Sequence, residues 1–144
     1  MAIECTDMSD RQVADFLAEP RHAIVATTRK DGSPQLSAVW FVYRDGKICF
    51  SIYNHSAKYF NIRRDPRVAV LVDAGCPDAR TVTIYGNAEL IEEQCTFRDE
   101  LEWAIAQQYH DSAEEAVKYL ETAKGPPSSM VVVTPDRILG HNYN

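Results

Sequence analysis

Three segments of the chain are apolar on successive residues rather than on alternate ones: AIVA at 23–26, AVWFV at 38–42 and VAVLV at 68–72. A strand with one face in water alternates apolar with polar residues, whereas these segments place apolar side chains on both faces of a sheet. The sheet that they form must therefore be covered on both sides. Because the few helices of the chain cannot cover so much surface, we expect a second copy to cover the rest in a homodimer.

Turn and cap signals place these segments in a succession of strands and helices. Asp-Gly pairs at 31–32 and 45–46 predict tight turns that join three successive strands into an antiparallel meander. Two predicted helices begin at Ser9 and Ser56 and stop before Pro20 and Pro66. The strands are predicted over 22–29, 33–43, 47–53, 67–73, 80–92, 130–135 and 137–141, and two further helices over 94–109 and 112–123.

The length of the chain limits the number of domains. A chain of 144 residues can form one domain with a real core, but it is too short for two domains of ordinary size. We therefore expect residues 1–144 to form a single α+β domain. In this domain six or seven mainly antiparallel strands close into a small barrel with peripheral helices.

Composition argues against several kinds of partner. The net charge of -6 disfavours general binding to nucleic acid, which requires a basic face. No apolar run approaches the roughly 20 residues of a membrane span, and the first residues lack the pattern of a signal peptide. The four cysteines lack metal-ligand spacing. We expect a cytoplasmic protein without a nucleic-acid, membrane or metal partner.

A cationic cluster lies within SAKYFNIRRDPR, residues 56–67, of this acidic chain. Lys58 falls in the first turn of the predicted helix, where a cation opposes the helix dipole unless an anion binds beside it. Ser56 and the backbone N–H groups of that turn add neutral donors, so this helix start has the composition of a phosphate site. Arg63 and Arg64 suit the other end of the helix, either as solvated side chains or as partners of the same anion.

The order strand, short loop, S-x-K, helix, D-P-R, strand resembles that of a known family. GSPQLSAVWFVYRDGKICFSIYNHSAKYFNIRRDPRVAVLVD at 32–73, followed by RTVTIYGNAELIE at 80–92, is similar to the pyridoxamine 5'-phosphate oxidase-like flavin and deazaflavin oxidoreductases. The resemblance implies the FMN-binding split-barrel fold and a homodimer with cofactor sites at its interface. It also implies residues around the cofactor phosphate and the polar edge of its ring. These are Ser37, Ser51, Ile52, Tyr53, Ser56, Lys58 and Arg64.

Departures from the family pattern narrow the subgroup. The strand QLSAVWF lacks the Arg and the Lys of the true pyridoxamine phosphate oxidases, and has Leu36 and Phe41 instead. Ala57 replaces an Arg between the Ser and the Lys, and Thr81 replaces a Gln. Oxidation of pyridoxamine phosphate is therefore not expected. PQLS together with AKYFNIRRDPR is more similar to the branch that includes users of coenzyme F420, whose members reduce substrates by hydride transfer.

Two kinds of function follow from this resemblance. The first is an oxidoreductase that uses FMN or F420 to transfer a hydride to or from a small organic substrate. The alternative is a carrier that binds a flavin or a tetrapyrrole such as haem without turnover. No catalytic residue or substrate is assigned. We expect His55 to be exposed. His141 is expected either in an exposed tail or at the substrate pocket of the partner subunit. Trp40 is expected near the cofactor ring, in the core or in the dimer interface.

Overall fold

Eight strands and four helices make up the part of the chain that the computed structural model describes, residues 2–5 and 7–144. The strands are β1 Ala2–Cys5, β2 Ala23–Thr28, β3 Pro34–Val39, β4 Val42–Arg44, β5 Lys47–Tyr53, β6 Arg67–Asp73, β7 Arg80–Ile91 and β8 Ser128–Asn142. The helices are α1 Asp10–Leu17, α2 Ala57–Arg64, α3 Thr96–Gln108 and α4 Ala113–Thr122. None of these helices is both long and apolar enough to cross a membrane.

The two edge strands of the main sheet follow one another in the sequence. Seven antiparallel strands follow the order β3-β2-β6-β7-β8-β5-β4, and β1 pairs in parallel with β8. Only Trp40 and Phe41 separate β3 from β4, so the sheet must curl until its two edges come close together. This curled half-barrel confirms the predicted α+β fold with an antiparallel split barrel.

The predicted meander is wrong at its middle strand, although the Asp45–Gly46 turn joins β4 to β5 as predicted. Residues 33–43 do not form one strand: β3 pairs with β2, whereas β4 pairs with β5 and β5 pairs with β8. At the break, Tyr109 Oη accepts a hydrogen bond from the Phe41 N–H at 3.2 Å, and Gln108 Nε2 donates to the Phe41 carbonyl at 2.9 Å. Side chains from the end of α3 thus replace the bonds that a continuous strand would have made to its neighbours.

The last two predicted strands are one strand. β8 runs through Asp136, which was predicted to separate two strands, because a bulge opposite Tyr85 and Gly86 absorbs the irregularity. Gly86 pairs with Pro135 where the two backbones approach closely. A Cβ atom at Gly86 would lie 2.3 Å from the Thr134 carbonyl oxygen. The short strand β1 was not predicted.

Two apolar clusters lie on opposite sides of the sheet. The larger one fills the barrel and includes Phe41, Phe50 and Ile84. The smaller one lies between α3 and the outer face of β4, β5 and β8, and includes Leu101 and Cys49. Burial raises the pKa of the Cys49 thiol to about 11, as expected for a cysteine that acts as a small hydrophobic residue. One part of the outer face is therefore covered by the chain's own helix.

Another part of the outer face remains open and apolar. Two rows of cross-strand neighbours run over β3, β2, β6 and β7, and we call them the outer patch. Leu36, Leu71 and Tyr85 are 64%, 39% and 44% exposed there. The rows consist of Ala38, Ile24, Leu71 and Thr83, and of Leu36, Ala26, Ala69 and Tyr85.

We expect Gly86→Ala to destabilise the protein by about 1–3 kcal/mol, because the new Cβ would collide with backbone that cannot rotate away. Gly125→Ala is the matched control, since the nearest atom to its Cβ is 3.9 Å away. Urea unfolding followed by circular dichroism measures both free energies. Equal midpoints for the two variants would show that β7 and β8 do not approach this closely.

Candidate functional site

A cleft of about 1100 Å³ opens where α3 ceases to cover the outer face of the sheet. Along β5, Phe50 and Ile52 face the barrel interior and Cys49 lies under α3, whereas Ser51 and Tyr53 are exposed. Its walls are formed by the ends of strands β3 and β5, by the start of α2 and by the helices α3 and α4. The lining residues include Ala38, Val39, Trp40, Ser51, Ile52, Tyr53, Asn54, Ser56, Lys58, Glu92, Arg98, Glu102, Trp103, Ile105, Val117, Tyr119, Leu120, Lys124 and Ser128.

Part of the β5 backbone at this cleft has no neighbouring strand on one side. β4 pairs with β5 only over Lys47, Ile48 and Cys49, and then ends. On that side the backbone of Ser51–Tyr53 therefore has no strand partner among the residues that the structure describes, while β8 pairs with the other side. The Tyr53 carbonyl accepts from Ser56 there. The other backbone groups on this side still require hydrogen-bond partners, so this edge suits the polar rim of a planar ligand.

The start of α2 lies at the same cleft. Ser56 is the N-cap, as predicted, but its hydroxyl donates to the Tyr53 carbonyl at 2.7 Å and does not cap the helix. No side chain within the described residues accepts from the first turn of α2. The Tyr59 N–H donates to the Ser56 carbonyl at 3.2 Å, whereas the N–H groups of Ala57 and Lys58 have no partner among the described residues and remain available to an anion.

Lys58 follows in the first turn of α2 and lines the cleft, partly buried. Burial lowers the pKa of its ammonium group, and no carboxylate among the described residues offsets this effect. A cation that is partly removed from water is usually paired with a negative charge. Here a half-buried cation and an uncapped helix start share one wall of a large cleft, an arrangement that favours an anionic group between them.

The arginines of the cluster have contacts elsewhere. Arg64 is not among the residues that line the cleft: it donates to the Thr28 carbonyl at 3.0 Å and to Asn61 Oδ1 at 3.1 Å. Arg67 pairs with Asp65 at 2.7 Å. Arg63 lies 5.5 Å from the ring centre of Tyr59. The structure therefore brings Lys58 to the cleft and holds these three guanidinium groups by contacts outside it.

The remaining sequence-predicted residues are divided between the cleft and its surroundings. Ser37 does not line the cleft, although the adjacent Ala38 does, and the Ser37 hydroxyl is buried without a partner among the described residues. His55 is exposed and stacks on Tyr53 with ring centres 5.4 Å apart. His141 lies within β8, stacks on Tyr143 and does not line the cleft. No group of three His, Cys, Asp or Glu residues in the described ranges could hold a metal ion.

Sequence reasoning missed a buried arginine beneath the cleft. Arg98 of α3 is 2% exposed, and it donates to the carbonyls of Glu92 and Ser128 at 2.9 and 3.1 Å and to the Glu102 carboxylate at 2.9 Å. It thereby joins the end of β7, the start of β8 and α3 at the floor of the cleft. No sequence signal distinguishes Arg98 from a solvated helix residue, because an Arg-Glu pair at i,i+4 is common on exposed helices and the Ser128 carbonyl lies 30 residues away.

Aromatic side chains form the wall of the cleft opposite β5. Trp40 stacks on Tyr109 with ring centres 4.9 Å apart and planes 7° apart, and it meets Tyr119 at 5.5 Å. His110 lies 4.7 Å from the ring centre of Tyr119 and 5.7 Å from that of Trp40, so the three rings form one cluster. Trp40 thus packs against the smaller apolar cluster and also lines the cleft, where Trp103 lies as well.

Comparison with known proteins gives the same fold. A sequence model described as pyridoxamine 5'-phosphate oxidase matches residues 9–142. The conserved hypothetical protein Rv2991 of Mycobacterium tuberculosis is 28% identical, with a TM-score of 0.78 over 94% of this chain and 85% of that chain. An F420 reductase is 24% identical, with a TM-score of 0.63 over 86% and 93% of the two chains. A FAD-binding protein of Mesorhizobium loti is 18% identical, with a TM-score of 0.69 over 91% and 92%.

We expect Lys58→Met to leave the ligand-free protein at least as stable as the wild type near pH 7. The pKa of Lys58 is lower in the folded protein than in the unfolded chain, because burial disfavours the protonated form. As the pH approaches the ordinary lysine pKa, the unfolded chain therefore binds more protons than the folded protein does. The cost of the buried charge is therefore present at neutral pH and is lost as the pH rises through the lowered pKa.

Thermal melts at pH 7 and pH 10 test this sign. The advantage of Lys58→Met over the wild type should shrink at the higher pH. Lys30→Met, which changes an exposed lysine, should show no such trend. A large loss of stability in Lys58→Met at pH 7 would mean that Lys58 holds the fold together.

Proposed function

Because the chain belongs to the pyridoxamine 5'-phosphate oxidase family, we propose that it is an oxidoreductase that uses FMN or coenzyme F420. It would transfer a hydride between that cofactor and a small organic substrate. The observation that carries this proposal is Lys58, a half-buried cation that has no carboxylate partner in the described part of the chain. It lies beside an uncapped helix start in a cleft of about 1100 Å³. Such a group of donors suits the phosphate that both cofactors carry.

The residues of this chain would hold and orient the cofactor. Lys58 and the first turn of α2 would bind the phosphate, and the Ser56 hydroxyl, which donates to the Tyr53 carbonyl, would fix the loop that leads into this turn. The backbone of Ser51–Tyr53 would meet the polar edge of the ring, because β4 does not extend that far along β5. When bound, FMN or F420 would supply the hydride chemistry.

Relatives of the same fold support the choice of cofactor class. One similar structure is named an F420 reductase and another a FAD-binding protein. Oxidation of pyridoxamine phosphate is not part of the proposal, since Leu36, Phe41, Ala57 and Thr81 occupy the positions where the true oxidases have Arg, Lys, Arg and Gln by the resemblance above.

A homodimer would complete the site. The outer patch is too apolar and too exposed to suit solvent, with Leu36 at 64% exposure. Ala38 belongs both to the outer patch and to the lining of the cleft. A second copy seated on the patch would therefore border the cleft, which agrees with cofactor sites at a subunit interface.

We expect Lys58→Met to weaken binding of the preferred cofactor by about 10- to 150-fold, because a charge-assisted hydrogen bond contributes about 1.5–3 kcal/mol. Titration of the ligand-free protein with FMN and with F420, followed by tryptophan and cofactor fluorescence, measures both affinities. Lys30→Met should bind as the wild type does.

Several outcomes of this titration would contradict the proposal. Unchanged affinity in Lys58→Met would place the phosphate elsewhere. Absence of binding by FMN and F420, together with a Soret band after addition of haem, would favour the tetrapyrrole carrier. A loaded protein that binds its cofactor tightly but is neither reduced nor oxidised by any partner would favour a flavin carrier.

The dimer is tested separately. Leu71 lies in the outer patch beside Ile24 and Thr83, so we expect Leu71→Lys to convert a dimer into monomers by placing a charge in an apolar interface. Light scattering at micromolar concentration measures the mass. Phe97→Lys is the control, because Phe97 is exposed but lies on α3. A monomeric wild type would overturn both the dimer and the interface site.

A further inference from the structure

The two parts of the proposed cofactor site lie on different elements of the fold. Lys58 and the uncapped first turn belong to α2, whereas the open backbone edge belongs to β5. A ligand that uses both parts binds tightly only if they are already held at the right separation, because ordering them on binding costs free energy. The rest of the fold must therefore fix this separation.

The link between β5 and α2 is tied to the start of β8. The Ser56 N–H and hydroxyl donate to the Tyr53 carbonyl at 3.1 and 2.7 Å, which closes the turn between the two elements. The Asn54 N–H donates to the Pro127 carbonyl at 2.9 Å, and Asn54 Oδ1 accepts from the buried Ser129 hydroxyl at 2.5 Å. Residues 54–56 are thus held to the strand that flanks β5.

Tyr59 ties α2 to the end of β7. Its side chain is 5% exposed and is not among those that line the cleft. Its hydroxyl donates to the carboxylate of Glu92, the residue that follows β7, and accepts from Arg63 Nη1 at 3.4 Å. The hydrogen bond to Glu92, and then burial, raise the pKa of Tyr59, so the phenol stays protonated and remains a donor near neutral pH.

Arg98 continues this connection from Glu92 to β8. Its Nη1 donates to the carbonyls of Glu92 and Ser128, and its Nη2 donates to the Ser128 hydroxyl at 3.0 Å. Ser128 is the ladder partner of Tyr53. These contacts close a circuit that begins and ends at α2 and passes through Tyr59, Glu92, Arg98, Ser128, Tyr53 and Ser56.

We propose that Tyr59 and Glu92 are positioning residues that hold the start of α2 at a fixed separation from the edge of β5, so that one ligand with an anionic group and a planar ring engages both parts at once. Tyr59 acts through the turn that carries Lys58 and touches no ligand itself. Ile62 packs in the larger apolar cluster, so α2 stays on the barrel when the Tyr59–Glu92 bond is removed. The identity of the ligand as FMN or F420 rests on the function proposed above, whereas the circuit of contacts does not.

Whole and partial ligands test the positioning role by isothermal titration calorimetry. FMN carries the ring and the phosphate, riboflavin carries the ring alone, and inorganic phosphate carries the anion alone. Tyr59→Phe should weaken FMN binding by about 2- to 12-fold, the factor by which loss of one hydrogen bond shifts a conformational equilibrium, and leave the two partial ligands unaffected. If the wild type prefers F420, then F420 and its phosphate-free deazaflavin replace FMN and riboflavin.

Two further variants give the patterns for comparison. Lys58→Met should weaken both FMN and inorganic phosphate, because it removes a group that contacts the anion directly. Tyr143→Phe changes a tyrosine that is 70% exposed and should alter none of the three affinities. Unchanged FMN affinity in Tyr59→Phe, or equal losses of FMN, riboflavin and phosphate, would overturn the inference.

A matched pair of variants separates the hydrogen bond from the charge of Glu92, which lines the cleft. Glu92→Gln and Glu92→Met both remove the carboxylate, but only the glutamine keeps an oxygen that accepts from Tyr59. Glu92→Met should therefore bind FMN about 2- to 12-fold more weakly than Glu92→Gln, and adding Tyr59→Phe to Glu92→Met should cause no further loss. Equal FMN affinities of the two Glu92 variants would contradict the positioning role.

Amide hydrogen exchange of the ligand-free protein gives a readout that needs no cofactor. The amides of Asn54 and Ser56 should exchange faster in Tyr59→Phe than in the wild type, whereas the Val70 amide of β6 should not. A wild type that binds neither FMN nor F420 would overturn the proposed function. In that case faster exchange at Asn54 and Ser56 would support the positioning role, and unchanged exchange would overturn it.

Discussion

The fold depends on how the chain passes from one edge of the sheet to the other at Trp40 and Phe41. A backbone that leaves one strand for another has polar groups without ladder partners, and such groups are costly when buried. Gln108 and Tyr109 supply the missing bonds to Phe41, and Tyr109 also donates to the Arg21 carbonyl at 2.6 Å. The residues at the end of α3 therefore connect the two halves of the barrel at the crossing, where the ladder of strand hydrogen bonds is interrupted.

The cleft follows from the same crossing. Because β4 begins only after the crossing and pairs with just three residues of β5, the far end of β5 keeps an open backbone edge. Because α3 must reach Phe41 with its last residues, it covers Cys49 but not Ser51 or Tyr53. Trp40 lies at the crossing itself and becomes part of the wall. The site and the closure of the barrel are thus products of one local arrangement.

The sequence was sufficient for the four helices, for most of the strands and for part of the site, because these depend on local patterns. The cap at Ser9 and the position of Lys58 in a first helical turn follow from neighbours within four residues. The break within 33–43 could not be predicted, since the apolar run AVWFV continues through it and the groups that stabilise it lie 67 and 68 residues away. The burial of Arg98 and the position of Arg64 outside the cleft were missed for a similar reason: each arginine also donates to a backbone carbonyl far along the chain, that of Ser128 and that of Thr28.

The position of β8 has a consequence for the order in which the molecule can assemble. This strand follows all the others in the chain, yet it lies between β7 and β5 and also pairs with β1. While a ribosome is still extending the chain, β7 and β5 each lack the neighbour that will join them. Such long-range pairing slows folding, and a waiting sheet with two open edges is prone to associate with other chains. The sheet of a nascent chain is therefore incomplete, and its edges are exposed to other chains, until β8 has emerged from the ribosome.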